Sequence, residues 1–223
     1  MLPLLVDAET LTRLKEWTEA TGPSILSIAG LKVSSDVNDG DMSLLASKFI
    51  CFAEKFKLPV ISYFCELRRS EKLDSGHSKE EQAAISLVYA LIRQLVELLE
   101  LRVQTSVDLS AQRFKKLDGT IETWQVGILL LEDLVSLLPS TVFCIIDGFQ
   151  WLDDRSTGSL LVGLLDLLRR SKMKVLLTTI GKSRLLIGEL ARTELLLKDE
   201  NSRQESGARK MAVYPVFSRG DMY

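Results

Sequence analysis

The sequence predicts an α/β fold in which a parallel sheet is covered by helices on both faces. Four short apolar runs predict buried strands, and segments with apolar residues at helical spacing separate them. Strands that are apolar on both faces belong inside a protein, between two layers of helices. The composition agrees with such a core, because 46% of the 223 residues are hydrophobic and 26% are charged.

The predicted strands are short and each ends at a turn-forming or polar residue. They cover residues 24–29, 60–65, 141–147 and 173–179. The first ends at Gly30 and the third ends in Asp147. Ligands of parallel sheets bind at the carboxyl ends of the strands, so the loops that follow these strands are the expected place for a site.

The predicted helices are bounded by proline and glycine in several places, as at Gly22-Pro23, Pro59 and Pro139. They cover residues 8–20, 42–57, 83–101, 121–138, 157–170 and 183–197. These elements predict an N-terminal helix in residues 1–22 and an α/β domain in residues 23–197. Residues 198–223 are polar at their start and predict a flexible tail.

Charge and hydropathy restrict the partners. The 28 Lys and Arg residues nearly balance the 30 Asp and Glu residues, which leaves a net charge of −2 and predicts neither nucleic acid nor an anionic membrane as partner. No window offers about 18 uninterrupted apolar residues, so no membrane span is predicted. The N-terminus lacks a basic segment and reaches Asp7 and Glu9 early, unlike a secretory signal. Other proteins, including further copies of this chain, are the expected partners.

The cysteine and histidine content argues against several kinds of site. Cys51, Cys65 and Cys144 lie in apolar runs and form no C-x-x-C pair, which disfavours a disulfide framework or a zinc site. Reduced, buried thiols fit a cytoplasmic protein. The single histidine, His77, provides almost no material for a catalytic triad or a histidine metal site.

The strongest chemical signal is the strand that ends in Asp147. An aspartate delivered by a buried strand holds Mg²⁺, usually through water, beside a bound triphosphate. The structural alternative is a turn or helix-capping aspartate. The strand at 173–179 ends in Thr178-Thr179. Thr179 could sense a γ-phosphate from the neighbouring strand, although threonine is also a good strand residue.

The segment after the first strand has the position of a phosphate-binding loop but not its chemistry. Such a loop reads G-x-x-x-x-G-K-[ST], so that backbone N–H groups face the phosphates, lysine neutralises them and the hydroxyl binds Mg²⁺. Here nine residues separate Gly30 from Gly40, and Asp41 follows in place of lysine. The candidate nucleotide-binding residues are therefore Gly30, Lys32, Gly40 and Ser43, of which Lys32 is the only basic residue in the loop.

Together these features resemble the nucleotide-binding domain of STAND-type P-loop NTPases, in particular the NACHT-like domain of the nephrocystin-3-like N-terminal kind. The order of several weak motifs over residues 20 to 190 carries the resemblance: Val60 to Cys65, Leu91-Ile92-Arg93-Gln94-Leu95, Leu131-Glu132, Pro139, Val142 to Asp147 and Leu177-Thr178-Thr179. The resemblance implies a three-layer P-loop NTPase-like sheet, ATP and Mg²⁺ as cofactors, and Asp147 as the metal ligand.

The chain departs from this family after Asp147. The family has a further acid that activates or positions water, whereas Gly148 or Gln150 occupies that place here, depending on alignment. Asp153 and Asp154 follow later and are the remaining candidates for a catalytic acid. The Gln150-Trp151 pair supports the resemblance, because related ATPases carry a similar pair.

Three functional hypotheses remain. The first is a degenerate domain that acts as a regulatory or interaction module; losing the lysine and gaining Asp41 costs about 3 kcal/mol, which is about a hundredfold in nucleotide affinity. The second is a residual Mg-ATP switch with slow hydrolysis, in which Lys32, Lys182 or Arg184 replaces the lysine. The third is an unrelated α/β binding domain, which a sheet with the first strand between the third and fourth would exclude.

Overall fold

The structure is a computed structural model that describes residues 7–30, 40–66, 78–99 and 105–197. Its helices are α1 (Ala8–Glu19), α2 (Gly40–Lys55), α3 (Lys79–Leu98), α4 (Ala111–Phe114), α5 (Trp124–Ser136), α6 (Gly158–Arg170) and α7 (Arg184–Glu189). Its strands are β1 (Ser24–Gly30), β2 (Val60–Phe64), β3 (Val142–Asp147), β4 (Met173–Ile180) and β5 (Leu195–Leu197). None of the helices in these ranges combines the length and the hydropathy that crossing a bilayer requires.

The five strands form one sheet in the order β2-β3-β4-β1-β5, and every neighbouring pair is parallel. All six residues of β3 are buried, as are the first seven of β4, because helices cover the sheet from both sides. The predicted α/β architecture of three layers is confirmed.

The larger core lies on the face of the sheet that is covered by α3, α5 and α6. Alternate residues of the strands enter it, for example Cys144 and Ile146 of β3 and Val175 of β4. The helices contribute leucine stripes at helical spacing, such as Leu87, Leu91 and Leu95 of α3. Burying each such side chain contributes about 1.5–3 kcal/mol, so this face dominates the stability of the fold.

The opposite face is covered by α1 and α2. Trp17 of α1 packs edge-on to Phe143 of β3, with their ring centroids 5.7 Å apart, and both rings contact Phe49 of α2. Helix α1 therefore shares a core with the sheet. The buried Lys174 of β4 fixes the carboxyl end of α1. The Lys174 ammonium donates to the carbonyl oxygens of Trp17, Thr18 and Ala20. Burial lowers the pKa of Lys174.

The strand order bears on the hypothesis of an unrelated α/β binding domain. The first strand lies between β4 and β5, and β4 lies between β3 and β1. The criterion of a first strand between the third and fourth is not met, so strand order does not exclude that hypothesis. The distinction is made by the side chains at the carboxyl ends of the strands.

The helix predicted over residues 183–197 is also wrong in its second half. Helix α7 ends at Glu189, and Leu195–Leu197 form the fifth strand, which pairs with β1. Leucine favours helices in isolation, but pairing with β1 buries Leu196 in the core that α1 and α2 cover. A bond from the Ser27 amide to the Glu194 carbonyl oxygen fixes the start of this pairing.

Several sequence predictions fall outside the described residues. Lys32 and His77 lie there, and so does the tail at 198–223. Of the residues between β1 and α2, Gly40 is described only as the first residue of the helix. The roles expected of these residues stay predictions.

Candidate functional site

The candidate site lies where β1 and β3 end, at the amino end of α2. Strand β1 is an interior strand that ends at Gly30, and the chain enters α2 at Gly40. A strand, a loop and a helix in this order form the framework on which a phosphate-binding loop is built. Strand β1 ends and α2 begins close to the residues expected from the sequence, and the binding role of the loop between them stays a prediction.

Asp147 is the centre of the site. Its carboxylate is buried, with 6% of the residue exposed, and both oxygens accept short hydrogen bonds. The Ser43 hydroxyl donates to Oδ2 at 2.5 Å, and the Thr178 hydroxyl donates to Oδ1 at 2.5 Å. The carboxylate thus joins three elements, namely β3, β4 and the first turn of α2.

The backbone explains why these three side chains meet. Asp147 and Thr178 are directly paired in the parallel register of β3 and β4, so their side chains leave the sheet side by side. Ser43 is the fourth residue of α2 and faces the end of β3 from the first helical turn. Thr178 is the hydrogen-bond partner of Asp147. The sequence indicates it only as one of two threonines at the end of a strand.

The Ser43–Asp147 pair matches the metal side of a P-loop site. In P-loop NTPases the hydroxyl of the loop and the aspartate of the buried strand together hold Mg²⁺. Here the Ser43 hydroxyl and the Asp147 carboxylate are in direct contact. Within the described ranges, no group of three or more His, Cys, Asp or Glu side chains forms a metal cluster, so the pair would depend on phosphate oxygens and water for further ligands.

The phosphate side of the site is different. Because Ser43 is the hydroxyl residue, the residue before it occupies the lysine position of the G-K-[ST] pattern. That residue is Met42, whereas counting forward from Gly40 places Asp41 there. Met42 is 6% exposed and belongs to the core cluster of α1 and α2. When the motif is aligned on Ser43, a buried thioether stands at the lysine position.

Gly30 is explained by the same contact. A side-chain carbon added to Gly30 would lie 2.6 Å from Cγ and 3.2 Å from Sδ of Met42. Glycine therefore lets the end of β1 approach the Met42 side chain. The role in phosphate binding that the sequence predicts for Gly30 stays a prediction.

Thr179 is turned toward the loop after β4. Its hydroxyl donates to the carbonyl oxygen of Gly181 at 2.8 Å, and the Gly181 amide donates to the carbonyl oxygen of Gly30 at 2.8 Å. Thr179 thus shapes the turn that lies beside the end of β1. Lys182 is exposed and follows this turn directly, one residue from the contact with Gly30.

Asp153 and Asp154 are both engaged in local structure. Oδ2 of Asp153 accepts bonds from the Ser183 hydroxyl at 2.7 Å and from the Leu185 amide at 3.1 Å, which caps α7. The exposed Asp154 accepts from the backbone and the hydroxyl of Ser156, and these bonds lower the pKa of Asp154. Asp153 ties the turn between β3 and α6 to the start of α7, and Asp154 stabilises the turn itself. Their roles as catalytic acids stay predictions.

The corner formed by Asp147, Gly148 and the Cys65 backbone is tightly packed. Gly148 has a φ of 75°, and its amide donates to the Thr178 carbonyl oxygen at 2.9 Å. The Cys65 amide donates to the Asp147 carbonyl oxygen at 2.8 Å, which ties the segment after β2 to the same corner. Burial, with a smaller contribution from the charge of Asp147, raises the pKa of the Cys65 thiol. Gln150, in the short helix that follows, has a buried amide with no hydrogen-bond partner.

The cysteines yield a testable prediction. Cys51 is exposed, whereas burial raises the pKa of Cys144 to about 12 and also raises that of Cys65. Raised pKa values keep thiols protonated and unreactive. In the native chain at mildly alkaline pH, a thiol-reactive dye should label one cysteine rapidly, and Cys51→Ser should remove that phase. Rapid labelling of two or three thiols would contradict the burial of Cys65 and Cys144.

The fold is a three-layer α/β fold with a P-loop NTPase-like parallel sheet. Within this fold, the hydroxyl of Ser43 in the helix after β1 contacts the aspartate that ends β3. No family model and no curated protein matches the chain.

Among solved structures, the chain is similar to the ORC1 protein of Aeropyrum pernix in complex with DNA, at 15% identity and a TM-score of 0.47, over 88% of this chain and 45% of that chain. It is also similar to Drosophila ORC bound to DNA, at 12% identity and a TM-score of 0.42, over 86% of this chain and 85% of that chain. The ORC2 protein of Aeropyrum pernix in its ADP form matches at 15% identity and a TM-score of 0.45, over 85% of this chain and 46% of that chain. The chain thus spans less than half the length of the two Aeropyrum pernix proteins.

One expectation about partners is corrected here. The balanced net charge predicts no nucleic-acid partner, whereas four of the similar structures are complexes with DNA. The exclusion is wrong, because a net charge averages the whole surface, whereas phosphate contacts require only a local group of basic side chains.

Proposed function

We propose that the chain is a STAND or NACHT-like nucleotide-binding domain whose phosphate loop has degenerated and which acts as a regulatory module. The observation that carries this proposal is the buried Met42 at the position of the loop lysine, packed against Gly30. A thioether donates no hydrogen bond and carries no charge, so it cannot neutralise phosphate.

The energetic consequence is large for binding. A charge-assisted hydrogen bond to phosphate contributes about 1.5–3 kcal/mol, and losing it lowers affinity by about tenfold to a hundredfold. The segment between Gly30 and Gly40 also lacks the glycine spacing that lets backbone N–H groups face phosphates in such loops. A site of micromolar affinity becomes one of near-millimolar affinity.

What remains of the site serves as a structural clasp. The Asp147 carboxylate accepts bonds from Ser43 and Thr178, and these bonds hold α2 against the ends of β3 and β4. Asp153 is engaged with Ser183 and Leu185, which supports weak or absent water activation. The proposed module therefore keeps the framework of a nucleotide switch without efficient hydrolysis.

A second candidate function is a residual Mg-ATP switch with slow hydrolysis. Two observations favour it. The contact between Ser43 and Asp147 keeps together the two side chains that would hold Mg²⁺. Lys182 directly follows Gly181, whose amide donates to the carbonyl oxygen of Gly30. In this case the exposed Lys182 would replace the missing ammonium from the neighbouring strand.

Titration with a fluorescent ATP analogue, with and without Mg²⁺, separates the two functions. For the degenerate module we expect no saturable Mg²⁺-dependent binding below millimolar ligand. Saturable micromolar binding that Lys182→Ala weakens would contradict the proposal and establish the residual switch. Arg192→Ala, an exposed basic position in the turn before β5, is the matched control for the loss of one surface charge.

Restoring the ammonium group tests the role of Met42 directly. Met42→Lys should raise the affinity for Mg-ATP by about tenfold, because it returns a charge-assisted hydrogen bond. Met42→Leu keeps the position apolar and should leave affinity unchanged. Equal affinities in both variants, with the fold intact by circular dichroism, would show that Met42 does not limit binding.

A further inference from the structure

Strand β2 lies at one end of the sheet, and in the part of the chain that the structure describes β3 is its strand partner. Its sequence, Val-Ile-Ser-Tyr-Phe, is uncharged and has high strand propensity. An uncharged edge strand of this kind is a template for pairing with another chain, and native proteins protect such edges.

The backbone of Ser62 points away from β3. The carbonyl oxygen of Pro59 and the amide of Cys65 both bond to β3, at 2.9 Å and 2.8 Å. Because backbone groups alternate along a strand, the odd positions face β3 and Ser62 faces outward. Its amide and carbonyl are the groups that an added strand would use.

Gln94 of α3 occupies both of these groups. The Ser62 amide donates to Oε1 of Gln94 at 2.9 Å, and Nε2 of Gln94 donates to the Ser62 carbonyl oxygen at 2.9 Å. The same Nε2 donates to the Ala90 carbonyl oxygen at 3.1 Å, which orients the amide from within α3. One side-chain amide thus reproduces the pair of bonds that a neighbouring strand would make.

We propose that Gln94 closes this edge of the sheet and keeps the chain from pairing with a second copy of itself through β2. Without the Gln94 amide, Ser62 exposes a donor and an acceptor in the middle of an uncharged strand. Two such strands satisfy each other in antiparallel orientation, because the Ser62 amide of each copy then faces the Ser62 carbonyl of the other. A second copy is the fitting occupant, since no like charges within β2 oppose the pairing.

Light scattering coupled to size exclusion, on the full chain over a range of concentrations, tests this proposal. We expect Gln94→Ala to shift from the mass of the wild-type chain toward twice that mass or more as concentration rises. Arg93→Ala, which removes an exposed side chain from the same helix, should retain the wild-type mass. A folded Gln94→Ala chain with wild-type mass at every concentration would overturn the proposal.

A double variant identifies the surface. Ser62→Pro removes the outward amide without removing a bond to β3, so it should return Gln94→Ala to the wild-type mass. Association that persists in the double variant would show that another surface pairs and would overturn the proposal. Should Gln94→Ala not fold, amide hydrogen exchange of the wild-type chain decides. Protection of the Ser62 amide supports the closed edge, and exchange at the rate of a free amide overturns it.

Discussion

Replacing Gly148 with alanine should destabilise the chain by about 3 kcal/mol. Gly148 has a φ of 75°, a conformation that costs an L-residue about 1–2 kcal/mol. The added carbon would also lie 2.7 Å from the Cys65 carbonyl oxygen and 3.0 Å from Cδ1 of Trp151. The Cys65 backbone cannot withdraw freely, because its amide bonds to the carbonyl of Asp147. Overcrowding of this kind adds about 1–3 kcal/mol.

Gly163→Ala is the matched control for this prediction. Gly163 lies on the exposed side of α6, and nothing lies within 4 Å of the carbon that alanine would add. Alanine should therefore stabilise the helix by about 0.5–1 kcal/mol. Urea denaturation followed by circular dichroism measures both variants. If Gly148→Ala unfolds at the same urea concentration as the wild-type chain, the prediction is contradicted. The segment after Asp147 would then accommodate the added carbon without strain.

The sequence was sufficient to predict the three layers of the fold but not β5, the edge strand beside β1. Strands such as Val142–Asp147 were predictable because a run of apolar residues has no stable place except between two layers of helices. The short β5 was not predictable, since Leu195–Leu197 has the composition of a helix end. Its strand conformation comes from pairing with β1, a contact between residues far apart in the chain.

The candidate site was predicted in part for a similar reason. Asp147 and Ser43 were identified from local patterns, and the structure brings them into contact. Gly40 suggests a motif alignment in which Asp41 replaces the lysine, whereas an alignment on Ser43 places Met42 there. Thr178 was distinguished from Thr179 only by the register of β3 against β4, which no local pattern contains.

Removing the carboxylate of Asp147 has the other large expected effect. Asp147→Ala leaves the buried Thr178 hydroxyl and the Ser43 hydroxyl without their acceptor, and hydrogen bonds to charged groups contribute about 1.5–3 kcal/mol each. After partial relaxation we expect a loss of about 3 kcal/mol in the free energy of unfolding. Asp147→Asn keeps the shape and one acceptor, and a hydroxyl can rotate to accept from the amide. Its expected loss is therefore about 1 kcal/mol.

The comparison of these two variants separates a clasp from a metal site. A clasp needs hydrogen-bond partners of the right shape, so asparagine should substitute well, and millimolar Mg²⁺ with ATP should leave the wild-type melting temperature unchanged. A metal site needs the negative charge, so asparagine should fail as completely as alanine in Mg²⁺-dependent stabilisation. Thermal melts of the three proteins, with and without Mg-ATP, distinguish these patterns. A rise in wild-type melting temperature that both variants abolish would identify Asp147 as a working metal ligand and refute the clasp.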